Sequence, residues 1–168
     1  MKTIGLIGGM SWESTALYYR QINEAIKCEL GGLHSARLLL LSVDFAEIAA
    51  LQSAANWGAA GNLLADAART LEAAGADFLV LCTNTMHIVA PAIESAVGIP
   101  LLHVADPTAQ AIQAAGFHTV GLIGTRFTME QSFYKERLVQ QHRLKVLVPD
   151  EADRDAVHRI IFEELCLG

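Results

Sequence analysis

The chain has 168 residues, 52% of them hydrophobic, with a mean hydropathy of +0.34; this excludes a disordered chain and allows one full core or two small α/β halves. Its net charge is −6, from 18 acidic and 12 basic residues without a Lys/Arg cluster, so no nucleic-acid surface is expected. No apolar run is long enough to span a bilayer and no signal-peptide pattern opens the chain, so the expected setting is cytoplasmic, with no membrane partner.

Thr3 to Ile7 reads as a buried strand that Gly8-Gly9 breaks. Ser11 can cap a helix from about Glu13 to Glu29, with Gly31-Gly32 ending it and Leu17, Ile22 and Ile26 as candidate core positions. Arg37 to Val43 is a second strand, Asp44 to Gln52 a short helix or loop, and Asn56-Trp57-Gly58 a break. Asn62 to Ala74 reads as an Ala/Leu helix closed by Gly75. Asp77 to Leu81 is a third strand, followed by a helix from about Met86 to Val97 that Gly98 and Pro100 end. Leu101 to Val104 is a fourth strand, and Pro107 opens a helix to about Ala115. This alternation predicts a parallel sheet covered on both faces, and such sheets take ligands beyond the carboxyl ends of their strands.

The pattern then restarts. His118-Thr119-Val120-Gly121-Leu122-Ile123-Gly124-Thr125 echoes Lys2-Thr3-Ile4-Gly5-Leu6-Ile7-Gly8-Gly9, and a helix carrying Tyr134 answers the one carrying Tyr19. A strand near Lys145 to Val148 and a helix from about Glu151 to Leu165 continue the second unit. The expected class is α/β: two pseudo-symmetric parallel-sheet domains with flanking helices, residues 1–115 and 116–168, the second incomplete. Cys82 follows Gly5 by 77 residues, and the same interval after Gly121 reaches position 198, past Gly168. The counterpart of the Cys82 strand is therefore expected to be missing. A half-built domain exposes apolar surface, which predicts self-association, a homodimer being one form of it, or poor stability.

Cys82 carries the strongest chemical signal. It ends the apolar run Leu79-Val80-Leu81, and Thr83-Asn84-Thr85 follow where a helix begins. A thiol at a helix N-terminus has a lowered pKa, and the three polar residues can donate to an anion; the bland alternative is an inert buried cysteine. Gly5-Leu6-Ile7-Gly8-Gly9-Met10-Ser11 is either an anion cradle or only a tight turn. As a dinucleotide fingerprint it is weak, because its spacing is G-x-x-G-G. His87 reads as a cap or surface residue. His103 and Asp106, at the end of the fourth strand, are candidates for the same crevice. Cys28 and Cys166 fall in helical segments and read as packing residues. The three cysteines fit neither a disulfide framework nor a metal site, and no metal is expected.

Gly8-Gly9-Met10-Ser11-Trp12-Glu13-Ser14-Thr15, with Tyr18-Tyr19 behind it, resembles the opening of the aspartate/glutamate racemase family, aspartate racemase branch. Cys82-Thr83-Asn84-Thr85-Met86-His87 resembles its first catalytic cysteine motif, and Gly124-Thr125-Arg126-Phe127-Thr128-Met129 the start of its second domain. The resemblance implies a racemase that needs no cofactor, pyridoxal phosphate included, with an amino-acid or dicarboxylate substrate lying between two α/β domains. One cysteine removes the α-proton and a second returns one from the opposite face. Cys82 is the implied catalytic residue; Met10, Gln52, Thr83, Asn84, Thr85 and Thr125 are the implied substrate contacts. The family's second cysteine motif has no match in this chain, so the chain alone is expected not to racemise and could act as a non-catalytic binder. Aspartate-specific members hold the distal carboxylate with basic residues. The matching positions here are Gln52 and Leu167, which favours a broader range that includes neutral side chains such as homoserine.

Overall fold

The structure, a computed structural model, describes residues 1–167; it divides into two compact units, the first ending at Leu102 and the second starting at His103. In the first unit, strands β1 (Ile4–Gly8), β2 (Leu38–Ser42), β3 (Phe78–Leu81) and β4 (Leu101–Leu102) form a parallel sheet in the order β2-β1-β3-β4. Ile7 lies opposite both Leu41 and Leu81, so the carboxyl ends of the first three strands are level. Helices α1 (Trp12–Leu30), α2 (Phe45–Ser53), α3 (Trp57–Ala73) and α4 (Ala90–Ala96) make the connections, with a 3₁₀ turn, Thr85–Val89, leading into α4.

The core of this unit lies between the sheet and α3. Leu64, Ala68 and Leu71 of that helix are buried in one cluster with Ile7, Leu79, Leu81, Met86 and Ile93. Each fully buried leucine there contributes roughly 1.5–3 kcal/mol. The helix starts five residues before the expected Asn62, at Trp57, because the Asn56 side chain accepts from the Ala59 N–H at 3.1 Å and caps it. Gly61 is compatible with the helix because α4 needs the room: a Cβ there would sit 3.1 Å from the Ala92 Cβ. The expected inward face of α1 is found only in part: Ile22 and Ile26 are half-buried, but Leu17 is 53% exposed. Thr15 is the one buried residue of the helix, and Trp12 is 67% exposed. A cleft of about 400 Å³, lined by Trp12, Thr15, Ala16, Tyr19, Leu40 and Ser42, separates this helix from β2. The fourth strand is also shorter than expected, pairing only at Leu101 and Leu102.

The second unit has its own parallel pair, β5 (Thr119–Gly121) and β6 (Lys145–Leu147). Helix α5 (Ala105–Ala114) belongs to it: Ala105 and Ala109 are buried with Tyr134, Leu138, Leu144 and Val146. The division placed between residues 115 and 116 from sequence thus lies inside this unit. The helix expected around Tyr134 is split into α6 (Arg126–Glu130) and α7 (Ser132–Glu136), because Gln131 adopts an extended backbone; a π-helical turn, Arg137–Gln141, follows. Helix α8 (Glu151–Ile160) is capped by Asp150 and continues into a π-helical turn, Ile161–Leu165.

A polar clamp ties α5 to the turn after α7. Arg137 donates through Nε and Nη2 to the two Asp106 carboxylate oxygens at 2.7 Å each, and His142 Nε2 donates to Oδ1 at 3.0 Å. Gln113 donates to the His142 carbonyl at 2.8 Å. The Arg137 hydrogen bonds, outweighing partial burial and aided by His142, hold the Asp106 carboxyl down at about 2, against an ordinary 3.8. In the unfolded chain this carboxyl takes its proton at higher pH than in the fold. Its stabilisation is therefore complete above the unfolded value and is lost as pH falls from about 3.8 to about 2; the gap corresponds to about 2 kcal/mol. Arg137→Met is expected to destabilise this unit by about 1–3 kcal/mol and to flatten that acid dependence. Amide hydrogen exchange in α5 measures both, and unchanged protection in the variant would contradict the clamp.

Candidate active site

The site is assembled where β1 and β3 end. The Cys82 N–H donates to the Ile7 carbonyl at 2.9 Å, and the Val43 N–H to the Gly8 carbonyl at 3.0 Å. Gly9 then turns the chain at φ 95, and a Cβ there would collide with the Val43 backbone, so only glycine fits. Its N–H donates to Thr15 Oγ1 at 2.9 Å, and that hydroxyl donates onward to the Ser11 carbonyl at 3.0 Å. Ser11 caps α1, accepting from the Ser14 N–H. The anion-cradle reading of this glycine turn therefore loses the Gly9 N–H, which is already satisfied within the chain.

The turn after β3 is held by two side chains. Ser14 Oγ donates to the Cys82 carbonyl at 3.3 Å. His87 Nδ1 lies 2.8 Å from the Thr83 carbonyl, and since a carbonyl only accepts, that nitrogen carries the proton. The His87 N–H donates to the Asn84 carbonyl at 3.1 Å. His87 is 1% exposed, so it is a buried clamp and not the cap or surface residue expected from sequence. Its place four residues after Thr83 was the available signal, and nothing in the sequence said that the ring would fold back on its own turn.

Cys82 is completely buried, and that burial pushes its thiol up to about 12, from an ordinary 9.0. The lowering expected from a helix N-terminus does not occur. The segment that follows is a five-residue 3₁₀ turn, and desolvation dominates. Thr83 is half-buried, Asn84 exposed and Thr85 buried. Met10 is buried in the core cluster beside Ile7, Leu81 and Met86. Gln52 is 4% exposed; its Nε2 donates to Met86 Sδ at 2.9 Å, while its Oε1 is enclosed with no hydrogen-bond partner among the described residues. Gln52 and Met10 are thus tied to the segment that carries Cys82. Thr125 belongs to the second unit, where Oγ1 caps α6 by accepting from the Thr128 N–H at 3.3 Å. Asp106 is engaged in the Arg137 clamp, and His103 Nδ1 accepts from the Ala105 N–H at 3.2 Å. Among the described residues no cluster of three or more His, Cys, Asp or Glu has the makings of a metal site.

At pH 8, iodoacetamide is expected to modify exposed Cys28 and leave Cys82 intact, which site-resolved mass spectrometry will show. The raised thiol also fixes the alkaline behaviour. Unfolding releases a thiol that ionises near 9, whereas the folded one resists to about 12, so this stabilisation is full below 9 and fades as pH climbs toward 12. A Cys82→Ala chain that loses stability over that alkaline range as steeply as the unchanged one would refute the assignment.

Comparison with known proteins places this geometry in context. The profile of the family described as Asp/Glu/Hydantoin racemase matches residues 7–165. A Yersinia pestis structure provisionally described as an Asp/Glu racemase is 58% identical, with a TM-score of 0.92 over 100% of this chain and 73% of that one. An aspartate racemase homologue from Pyrococcus horikoshii is 36% identical, with a TM-score of 0.81 over 100% of this chain and 73% of that one. The broad specificity amino-acid racemase RacX of Bacillus subtilis is 33% identical over 73 residues, which span 44% of this chain and 32% of RacX. The two similar structures carry the same α/β arrangement over the whole of this chain. With its match running from Ile7 to Leu165, the chain belongs to the Asp/Glu/hydantoin racemase family.

Proposed function

We propose that this chain supplies one half of the proton-transfer site of a cofactor-independent amino-acid racemase, with Cys82 as its acid/base group. The observation that carries the reading is a fully buried thiol at the carboxyl end of β3, followed directly by Thr83, Asn84 and Thr85, in a member of this family. An amino-acid α-proton is very weakly acidic, so its removal needs a base in near-attack geometry in a dry site and donors for the charge that develops on the carboxylate. Thr83, Asn84 and Thr85 are the proposed donors, and Met10 and Gln52 the proposed contacts around the rest of the substrate. Thr125, a cap of α6 in the second unit, is proposed as a further contact from its motif.

A thiol ionising near 12 is protonated at neutral pH. Cys82 therefore enters the reaction as proton donor and leaves as thiolate, with an opposite base taking the proton from the other face. Neither remaining cysteine suits that second role: Cys28 is exposed on α1, and Cys166 ends a helical turn without the flanking Thr-Asn-Thr. The 168-residue chain is thus proposed to bind without racemising. A pure binder of a small amino acid or dicarboxylate is the second reading, and the resting protonation of Cys82 favours it for this chain taken alone.

The substrate range follows from Gln52. It is buried and neutral, and it offers a carbonyl acceptor where a basic residue would pair with a second carboxylate. A hydroxyl-bearing side chain can donate to Gln52 Oε1, whereas a second carboxylate cannot. L-Homoserine is expected to bind at least about tenfold tighter than L-aspartate by calorimetry. Chiral chromatography of either incubation is expected to show no D-enantiomer. Accumulation of D-amino acid would sink the binding-only account of this chain, and tighter aspartate binding would sink the role given to Gln52.

A further inference from the structure

The carbonyls of the turn that carries Cys82 are held by the fold. Three successive carbonyls, those of Cys82, Thr83 and Asn84, are each taken by a donor from the fold: Ser14 Oγ at 3.3 Å, His87 Nδ1 at 2.8 Å and the His87 N–H at 3.1 Å. In a planar trans peptide the N–H points opposite to the carbonyl of the preceding residue. Fixing these three carbonyls therefore fixes the directions of the Thr83, Asn84 and Thr85 amides, and with them the three side chains that follow the thiol. His87 supplies two of the three bonds from a side chain and backbone that are almost fully enclosed.

We propose that His87 is a positioning residue for the proton-transfer site, acting through its Nδ1–H to the Thr83 carbonyl, with Ser14 holding the adjoining carbonyl of Cys82. His87 needs no contact with substrate for this. Its tautomer matters more than its charge, because a protonated Nδ1 is the donor the carbonyl requires. The inference rests on the reading of Cys82 given above, but the clamp can be measured without any amino acid present.

The variants follow from where each side chain carries its nitrogen. His87→Asn keeps an N–H donor on the atom bonded to Cγ, as Nδ1 is. His87→Gln moves the amide one carbon further out, and His87→Leu removes the donor. The first readout is the iodoacetamide labelling rate of Cys82, which follows local opening of the turn. Loss of one buried hydrogen bond raises that opening about tenfold, so His87→Leu and His87→Gln are expected to label about ten times faster and His87→Asn within about threefold of the unchanged chain. L-Homoserine affinity by calorimetry is expected to fall and recover in the same order. Ser14→Ala serves as the second probe wherever His87→Leu fails to fold, with several-fold faster labelling expected.

Equal labelling across the His87 series, or no rescue by asparagine, overturns the proposal. So does altered labelling with unaltered L-homoserine affinity, since the clamp then positions nothing that binds. A chain that binds no amino acid while labelling keeps the predicted order supports the clamp and overturns the amino-acid reading instead.

Discussion

The hydrogen bond from the Cys82 N–H to the Ile7 carbonyl is the constraint on which the site depends. It continues the β1–β3 ladder one residue beyond β3 and so fixes where the thiol emerges relative to the glycine turn after β1. Everything else is added from that edge. Gly9 reverses the chain at a φ that a side chain would not tolerate against Val43, and Thr15 pins the turn by taking the Gly9 N–H. Ser14, one residue before Thr15, then reaches the Cys82 carbonyl. A one-residue slip of β3 would carry Leu79 and Leu81 off the core face and Cys82 off this junction together. The apolar packing that stabilises the first unit and the placement of its thiol are thus one register decision.

Much of this was legible in the sequence because the signals are local. Gly8-Gly9 and Ser11 marked a strand end and a helix cap, and both are found. The apolar run before Cys82 marked a strand, and the strand is there. The misreadings arise where tertiary contacts decide. Leu17 fits the helical period, but a period cannot say whether the sheet is close enough to bury that face, and a cleft lies between α1 and β2. Asn56 does stand in a break, between α2 and α3, but its side chain also caps α3, so that helix begins at Trp57 and not at Asn62. The pKa of Cys82 departs from the sequence expectation for a related reason. A helix N-terminus is visible in sequence, whereas the complete burial of the Cys82 thiol that overrides it is a property of the fold. His87 shows the same limit, since its ring bonds backward over a turn whose geometry only the fold defines.

The two units are stabilised by different means. The first has a cluster of fully buried leucine, isoleucine and alanine side chains on one sheet face. The second has a smaller apolar cluster and adds the Asp106–Arg137–His142 clamp, whose members keep between 17% and 27% of their side-chain surface exposed. A bidentate guanidinium–carboxylate pair at that depth holds its geometry without the full desolvation penalty of a deeply buried pair. It also explains why α5 behaves as part of the second unit. Pro107 and the apolar period define the helix, but the partners of Asp106 and Ala109 come from later in the chain.

The raised thiol pKa looks at first like an argument against proton transfer; on the proposed reading it is part of the match between base and substrate. A shift from 9.0 to about 12 means that forming the thiolate inside the fold costs about 4 kcal/mol more than in water. The same shift makes that thiolate a stronger base, closer in proton affinity to an amino-acid carbanion than a solvated thiolate is. A low-pKa cysteine would ionise readily and then hold its proton too weakly to take one from carbon. Burial thus suppresses the reactive form in the resting chain and strengthens it once formed. On the proposed reading, the energy to form it comes from the negative charge developing on the substrate, which a proton from Cys82 quenches. On that reading rigid alignment of the turn matters more than easy ionisation, in keeping with Ser14 and His87 both holding the backbone beside a fully buried thiol.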